Sequence, residues 1–551
     1  MEFHPVLAIE RATAMRERGL WPDKTLHDYF CAARQTCPDK VAVVDCSGER
    51  VLRPTRLTYR QLDEEAVRVA AALARLDVGR GDVVSVQLHN CWEVLALALA
   101  CARMGAVINP LMPIFREREL EFMLNLCESK VFVVPATYRG RDHAAMARGL
   151  LPRVPHVRHL IVLGEPGADA FDEVLERADP AAGDANPERR SCRPLRPDDV
   201  AMVMFTSGTT GEPKGVMHTS NTLLSTLSAA LESLEMTPRD IALCSAPMGH
   251  MLGLALLGIF PLMAKGTTVI MDAWEAAAAV RLIAQENVTY TAGPTPYLVD
   301  LCDAVQSGAR RPASLRLFCC AGAPIPPVLV ERADRELNMT VCSLWGMTEV
   351  QAGTVTGVAQ AREYSALADG RPPVGMEAKI VDDSGVRLPT GQTGRLLVRG
   401  SGVFAGYLKH PELNDVDAGG WFDTGDLAYE VNDAGYVRIN GRSKDIIKRG
   451  GESVPVVEVE SLLARHPSVA SVAIVGWPDA RLGERVCAFV TLRPGTSLDL
   501  DEMRTFLGAC ELTPQYWPER LELCDDLPRT PSGKVQKFRL RELVLRLAQA
   551  S

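Results

Sequence analysis

No two cysteines of this chain stand at the Cys-x-x-Cys spacing, and their number, 15, is odd. Scattered thiols of that kind exclude a disulfide framework and a structural zinc site, and predict reduced, mostly buried side chains in a cytoplasmic protein. The adjacent pair Cys319-Cys320 lies in the apolar run 315–321 and reads as core. Surplus positive charge is missing too: 60 Lys and Arg stand against 69 Asp and Glu, for a net charge of −9. Without a basic stripe, nucleic acid and anionic membrane are excluded as main partners. The N-terminus, Met1-Glu2-Phe3-His4, lacks the basic-then-apolar order of a signal peptide. The longest uncharged apolar run, 251–264, falls short of the ~20 residues needed to span a bilayer and reads as a buried helix, so no integral membrane segment is expected. Internal repeats and low-complexity segments are absent as well.

What is present is a long, mixed chain. Its 551 residues, 47% hydrophobic and 23% charged, predict a globular protein of several domains. Apolar strands at 41–45, 82–88, 130–134 and 159–164 alternate with helical spacing at 61–76 and 93–104. Such alternation implies α/β layers with largely parallel sheets. Residues 165–199 turn to Gly, Pro, Asp, Glu and Arg and read as an exposed connection. The alternation resumes to about 350; after 370 come short strands at 377–381, 394–399 and 435–439 with turn signals, a smaller β-rich region. The last block holds a helix near 456–465 and strands at 472–475 and 485–492, enough for a separate small domain.

The densest chemical signal is Thr206-Ser207-Gly208-Thr209-Thr210-Gly211-Glu212-Pro213-Lys214-Gly215, entered from the apolar strand 201–205. Glycines let backbone N–H groups approach an anion, hydroxyls donate further hydrogen bonds, and Lys214 adds a point charge. That is phosphate-cradling chemistry. The spacing is not the Gly-x-x-x-x-Gly-Lys-Ser/Thr of the P-loop, so this is a different phosphate loop. A mobile linker is the plain alternative, and linkers rarely follow so apolar a strand.

Further motifs join it: Cys320-Ala321-Gly322-Ala323-Pro324, Leu344-Trp345-Gly346-Met347-Thr348-Glu349, Trp421-Phe422-Asp423-Thr424-Gly425-Asp426, Gly441-Arg442-Ser443-Lys444-Asp445 and Pro528-Arg529-Thr530-Pro531-Ser532-Gly533-Lys534. Together, from about residue 30 to 545, they resemble the adenylate-forming superfamily of acyl-CoA synthetases, peptide-synthetase adenylation domains and luciferases. Within it, the segments 109–118 and 441–459 are most similar to cyclohexanecarboxylate-CoA ligase-like and medium-chain acyl-CoA ligases. The resemblance implies a large N-terminal domain of layered α/β sheets, 1–443, with its β-rich subdomain at about 370–443. A small mobile α+β C-terminal domain, 444–551, would swing on a hinge at Lys444.

It also implies roles. Thr206, Ser207, Gly208, Thr209, Thr210 and Lys214 would hold the ATP phosphates, while Gly322, Ala323, Pro324, Trp345, Gly346 and Met347 would line the AMP pocket. Trp345 would stack on adenine, Thr348 would donate to the α-phosphate, and Glu349 with Thr209 would hold Mg²⁺. Asp426 would accept from the ribose hydroxyls and Arg442 would sit near ribose and phosphate. Lys534 would bridge the carboxylate and the α-phosphate. His250 would gate an acyl pocket lined by Gly293, Pro294, Gly322 and Gly346; a satisfied core histidine is the bland alternative there. Gly450 and Gly451 would form the pantetheine tunnel for coenzyme A.

The expected activity is an AMP-forming acyl-CoA ligase that couples a hydrophobic carboxylic acid (alicyclic, aromatic, medium-chain or a bulky natural-product acid) to CoA through acyl-AMP. Lys448 and Ser453 depart from the family pattern and open a variant that mainly thioesterifies a supplied acyl-AMP. Gly293-Pro294 replaces an Ala-Ser-like pair and leaves the acid open. An adenylation enzyme serving a carrier protein is the same-chemistry rival, and the absence of a carrier domain after Ser551 favours free CoA. A nucleotide-binding scaffold is the non-enzyme rival. A homodimer is compatible with the sequence.

Overall fold

The computed structural model describes residues 3–167, 170–176, 194–206, 213–322, 325–442, 447–449, 452–479, 481–510, 512–529 and 535–550. Two parallel-rich sheets dominate. One has eight strands in the order Thr354–Val355, Thr340–Trp345, Leu317–Ala321, Tyr290–Gly293, Ile241–Cys244, Thr267–Ile270, Val41–Asp45 and Thr55–Thr58. Its six inner strands run parallel and its two edges antiparallel. The other has six, in the order Lys214–Thr219, Val200–Thr206, Val107–Pro110, Val83–Val86, Val131–Pro135 and His159–Leu163.

Helices fill the space between these sheets. Trp92–Met104 is apolar and buried along most of its length, which marks a core helix, and it ends where Gly105 turns left-handed at φ 83°. Tyr59–Arg75 carries a single apolar face and starts at a capping box between Thr58 and Gln61. One continuous core joins Val84 and Ile108 of the six-stranded sheet, Leu95 and Leu99 of the central helix, and Ala242 and Leu317 of the eight-stranded sheet. Cys319 and Cys320 are buried in it and beside it, as their apolar run implies.

One expectation holds with a refinement and one needs correction. The run 251–264 is buried, but Leu252–Ile259 is wound wide, as a π-helix, before Phe260–Met263 tightens to α. A Cβ on Gly253 would lie 2.1 Å from the Pro247 carbonyl oxygen, so the first turn packs onto the preceding backbone. Hydroxyls then cap carbonyls in the widened turn: Tyr290 donates to Leu256 O at 3.2 Å and Thr268 to Leu257 O at 3.3 Å. Within 165–199, Phe171–Glu176 is a helix with Phe171 and Leu175 buried, rather than open connection. Its polar composition hid two anchors.

The β-rich region is a four-stranded antiparallel sheet of Met376–Val381, Gly394–Gly400, Phe422–Glu430 and Val437–Arg442. Beyond it, strands Val469–Asp479 and Gly483–Leu492 pair over ten positions, with helices Val456–Leu463, Leu500–Ala509 and Lys537–Ala550 against them. Val459, Leu463, Ile474, Val486, Met503 and Leu507 give this smaller unit a core of its own.

An N-terminal arm ahead of residue 30 docks far along the chain. Arg11 donates to the carbonyls of Gly400, Val403 and Phe404, and Trp21 Nε1 donates to Ser401 O at 3.0 Å. Burial pulls the Arg11 guanidinium down to about 10. Among the described residues, no helix is long and apolar enough to cross a membrane.

Candidate active site

In a parallel sheet the carboxyl ends of the strands share one edge, and loops leaving that edge form the binding crevice. The register sets Gly293 beside Cys320 and Ala321 beside Leu344. Gly293, Gly322 and the Trp345-Gly346 pair therefore leave the eight-stranded sheet side by side. Pro294 precedes helix Thr295–Gln306, whose Tyr297 stacks on Trp274 with centroids 4.1 Å apart.

The loop after Trp345 folds back at once. Gly353 N donates to Trp345 O at 3.0 Å and Gln351 N to Met347 O at 2.7 Å. A Cβ on Gly346 would stand 1.6 Å from Gln351 O, so only glycine fits there. Thr348 and Glu349, 7% and 5% exposed, sit at the tip of this reversal. Tyr407 donates to Glu349 Oε1 at 2.8 Å, and Phe404 N donates to Glu349 O at 2.8 Å. Burial, and then the Glu349 carboxylate, push the Tyr407 phenol well above its usual range, so it stays a donor.

Two other sequence motifs arrive at the same place. Thr206 and Lys214 are register partners in the hairpin of Val200–Thr206 and Lys214–Thr219. The Lys214 ammonium lies over the Tyr407 ring, 4.8 Å from its centroid. From the four-stranded sheet, Asp426 accepts from Trp345 Nε1 at 2.8 Å and is 5% exposed. Arg442 is placed by its backbone, opposite Asp426 in the ladder. Thus Thr206, Lys214, Gly322, Trp345, Gly346, Met347, Thr348, Glu349 and Asp426 belong to one linked region. His250, half-buried, ends the turn from Pro247, and its Nδ1 accepts from Leu252 N at 3.2 Å.

Ser207, Gly208, Thr209, Thr210, Ala323, Pro324, Lys444, Gly450, Gly451 and Lys534 lie outside the described residues. Among the described residues there is no group of three His, Cys, Asp or Glu able to cage a metal. Glu349 is a single hard oxygen donor, which fits a Mg²⁺ ion that keeps its waters and is carried chiefly by substrate phosphates.

Sequence reasoning missed three residues that hold this region: Tyr407, His218 and Gln351. His218 sits fully buried in the strand Lys214–Thr219, with Nε2 2.7 Å from Thr348 O. A histidine at a core position of an apolar strand was the available signal. Nothing local marked Tyr407 or Gln351, because their partners are 58 and 125 positions away.

Comparison with known proteins identifies the family. The family model described as AMP-binding enzyme matches residues 30–408, and that described as AMP-binding enzyme C-terminal domain matches 458–534. The chain is 34% identical over 542 residues to a medium-chain fatty-acid–CoA ligase of Escherichia coli (strain K12), covering 98% of this chain and 93% of that protein. It is 36% identical over 543 residues to a salicylyl-CoA synthase / salicylate adenylyltransferase of a Streptomyces species, covering 97% and 96%. The crystal structure of ATP-bound MatB from Rhodopseudomonas palustris superposes with a TM-score of 0.83 at 27% identity, over 95% of this chain and all of that one (100%).

Proposed function

The chain belongs to the AMP-binding enzyme family, and from that premise we propose that it is an acid–thiol ligase: an AMP-forming acyl-CoA synthetase for a hydrophobic carboxylic acid. The observation that carries the reading is the junction of Trp345, Thr348 and Glu349 with Asp426 and Lys214 at the carboxyl edge of the large sheet. In this reading Asp426, bonded to the Trp345 indole, is the ribose acceptor, and Glu349 and Lys214, both touching Tyr407, are the metal-directed carboxylate and the cation. The medium-chain fatty-acid and salicylate specificities of the two relatives support an apolar or aromatic acid.

In the first half-reaction a carboxylate oxygen of the acid attacks the α-phosphorus of ATP. The bond to the bridging oxygen of pyrophosphate breaks, leaving acyl-AMP. Thr348 and Lys214 stabilise phosphoryl charge, Asp426 accepts from the ribose, and Lys534 bridges the two anions that repel each other. Mg²⁺, held at Glu349, would supply Lewis-acid charge neutralisation. In the second half-reaction the CoA sulfur attacks the acyl carbon, its proton passes to solvent, and the C–O bond to AMP breaks. Thiols ionise near pH 8.5, so a dedicated base is unnecessary. The segment with Gly450 and Gly451 would meet the thiol after rotation of residues 444–551 about Lys444, replacing Lys534 at the same face.

The test is a panel of carboxylic acids assayed for AMP release, hydroxamate trapping and the mass of the CoA thioester. Acid-dependent AMP and a matching thioester are expected. Acid-independent AMP, or none above the level of Lys534→Ala, would leave a nucleotide-binding scaffold as the better description.

A further inference from the structure

We propose that His218 and Gln351 are positioning residues for adenylation, which together fix the loop presenting Thr348 and Glu349 to the nucleotide. The inference rests on the ligase reading above and adds to it two side chains that touch no reactant.

The loop 346–353 is closed by Gln351, whose φ of 58° lies in the left-handed region that a non-glycine residue seldom occupies. Such a conformation persists only where the surroundings over-determine it. Here the side-chain amide is 6% exposed and fully engaged. Its Oε1 accepts from Thr226 Oγ1 at 2.7 Å; its Nε2 donates to Thr222 O at 2.9 Å and meets His218 Nδ1 at 3.1 Å. Thr222 and Thr226 lie on one helix, Ser220–Ser233, so the loop is pinned to a rigid element rather than to another loop.

His218 makes the second attachment. A carbonyl oxygen only accepts, so the Thr348 O contact at 2.7 Å places the imidazole proton on Nε2. Nδ1 is then the acceptor, facing the Gln351 amide and Thr222 Oγ1, each at 3.1 Å. The two anchors thus share one neutral tautomer: the ring accepts a hydrogen bond from Gln351 at Nδ1 and donates one to Thr348 O from Nε2. Thr348 is held at its backbone, which leaves its hydroxyl for the phosphate. Glu349, the next residue, is held on its other side by Tyr407 and Phe404. A loop carrying both a phosphate donor and a metal-directed carboxylate needs this preorganisation, because a displacement of about 1 Å can cost about 100-fold in rate.

Three variants test the role. Gln351→Gly accepts the left-handed backbone but lacks all three side-chain bonds; His218→Leu removes all three ring bonds; His218→Gln restores a neutral donor able to reach Thr348 O. Each is measured for ATP–pyrophosphate exchange with the best acid of the panel, for the Mg²⁺ concentration giving half-maximal exchange, for Mg·ATP affinity by calorimetry, and for thermal midpoint. In Gln351→Gly and His218→Leu the exchange kcat is expected to fall about 10- to 100-fold, with a raised Mg²⁺ requirement, weaker Mg·ATP binding and little change in KM for the acid. His218→Gln is expected to recover most of the rate. Folded variants with unchanged exchange and Mg²⁺ dependence overturn the proposal. So does a loss of rate that only tracks a loss of folded protein, or a His218→Gln no better than His218→Leu. A wild-type enzyme without acid-dependent exchange would instead remove the ligase reading itself, and the proposal with it.

Discussion

Tyr407 holds Glu349 across 2.8 Å while its ring carries the Lys214 ammonium on the other side. One tyrosine side chain therefore touches both the Glu349 carboxylate and the Lys214 ammonium.

Replacing that phenol by Tyr407→Phe removes one donor from Glu349 and leaves the ring. Packing against Phe404, 4.7 Å between centroids, is retained. Outer-shell partners of metal-binding carboxylates are worth about 10- to 100-fold in affinity or activity. Titrating Mg²⁺ against pyrophosphate exchange should show a requirement raised by about 10-fold with the thermal midpoint nearly unchanged. An unaltered Mg²⁺ curve would remove Tyr407 from the site.

Asp426 accepts from Trp345 Nε1, and the proposed function gives it the ribose hydroxyls as well. If it also accepts from the ribose hydroxyls, Asp426→Asn keeps a carbonyl for the indole and loses the charge. Charge-assisted bonds contribute about 1.5–3 kcal/mol each, so AMP and ATP should bind about 10- to 100-fold more weakly by calorimetry. Equal affinity in the variant would assign Asp426 to the indole alone.

Lys534→Ala should separate the half-reactions. Pyrophosphate exchange should drop by about 10²- to 10³-fold, the cost of losing a preorganised electrostatic contact. Thioester formation from synthetic acyl-AMP should continue at near the wild-type rate. A parallel loss in both assays would contradict the alternation of residues 444–551.

Burial pulls the His218 imidazole down to about 4; its bond to Thr348 O raises it and the charge of Arg11 lowers it. A histidine depressed in this way stabilises the fold fully above its ordinary value of 6.5 and loses that contribution as pH falls toward 4. The difference is worth about 3 kcal/mol. Urea unfolding of the wild type should therefore lose more stability between pH 6.5 and 4 than unfolding of His218→Gln, by about 2–3 kcal/mol. Parallel curves would mean that His218 titrates in the folded protein as it does in the unfolded chain.

Strands and helices of the large sheets were legible wherever the apolar pattern ran unbroken, as at Val41–Asp45 and Trp92–Met104. Lys214 stood out from the composition of its own loop, whereas Trp345, Thr348, Glu349 and Asp426 were marked only by motifs that resemble those of the family. What local sequence could not give was support from a distance. His218 reads as one more core residue, Gln351 as one polar residue in a loop, and Arg11 as a surface charge ahead of the family match; each acquires its role only from partners on other elements. The π-turns of Leu252–Ile259 were equally invisible, since an apolar run carries no mark of how tightly it is wound.

The docking of the N-terminal arm has a consequence for biosynthesis. Arg11 and Trp21 leave the ribosome 380 to 393 positions ahead of the carbonyls that receive them. At about 5–20 residues per second, roughly 20–80 s pass before that socket exists. Through that interval a guanidinium and an indole destined for the interior remain wet. Arg11 and Trp21 thus settle only once that socket has formed, and they close on the very loop whose Phe404 steadies Glu349.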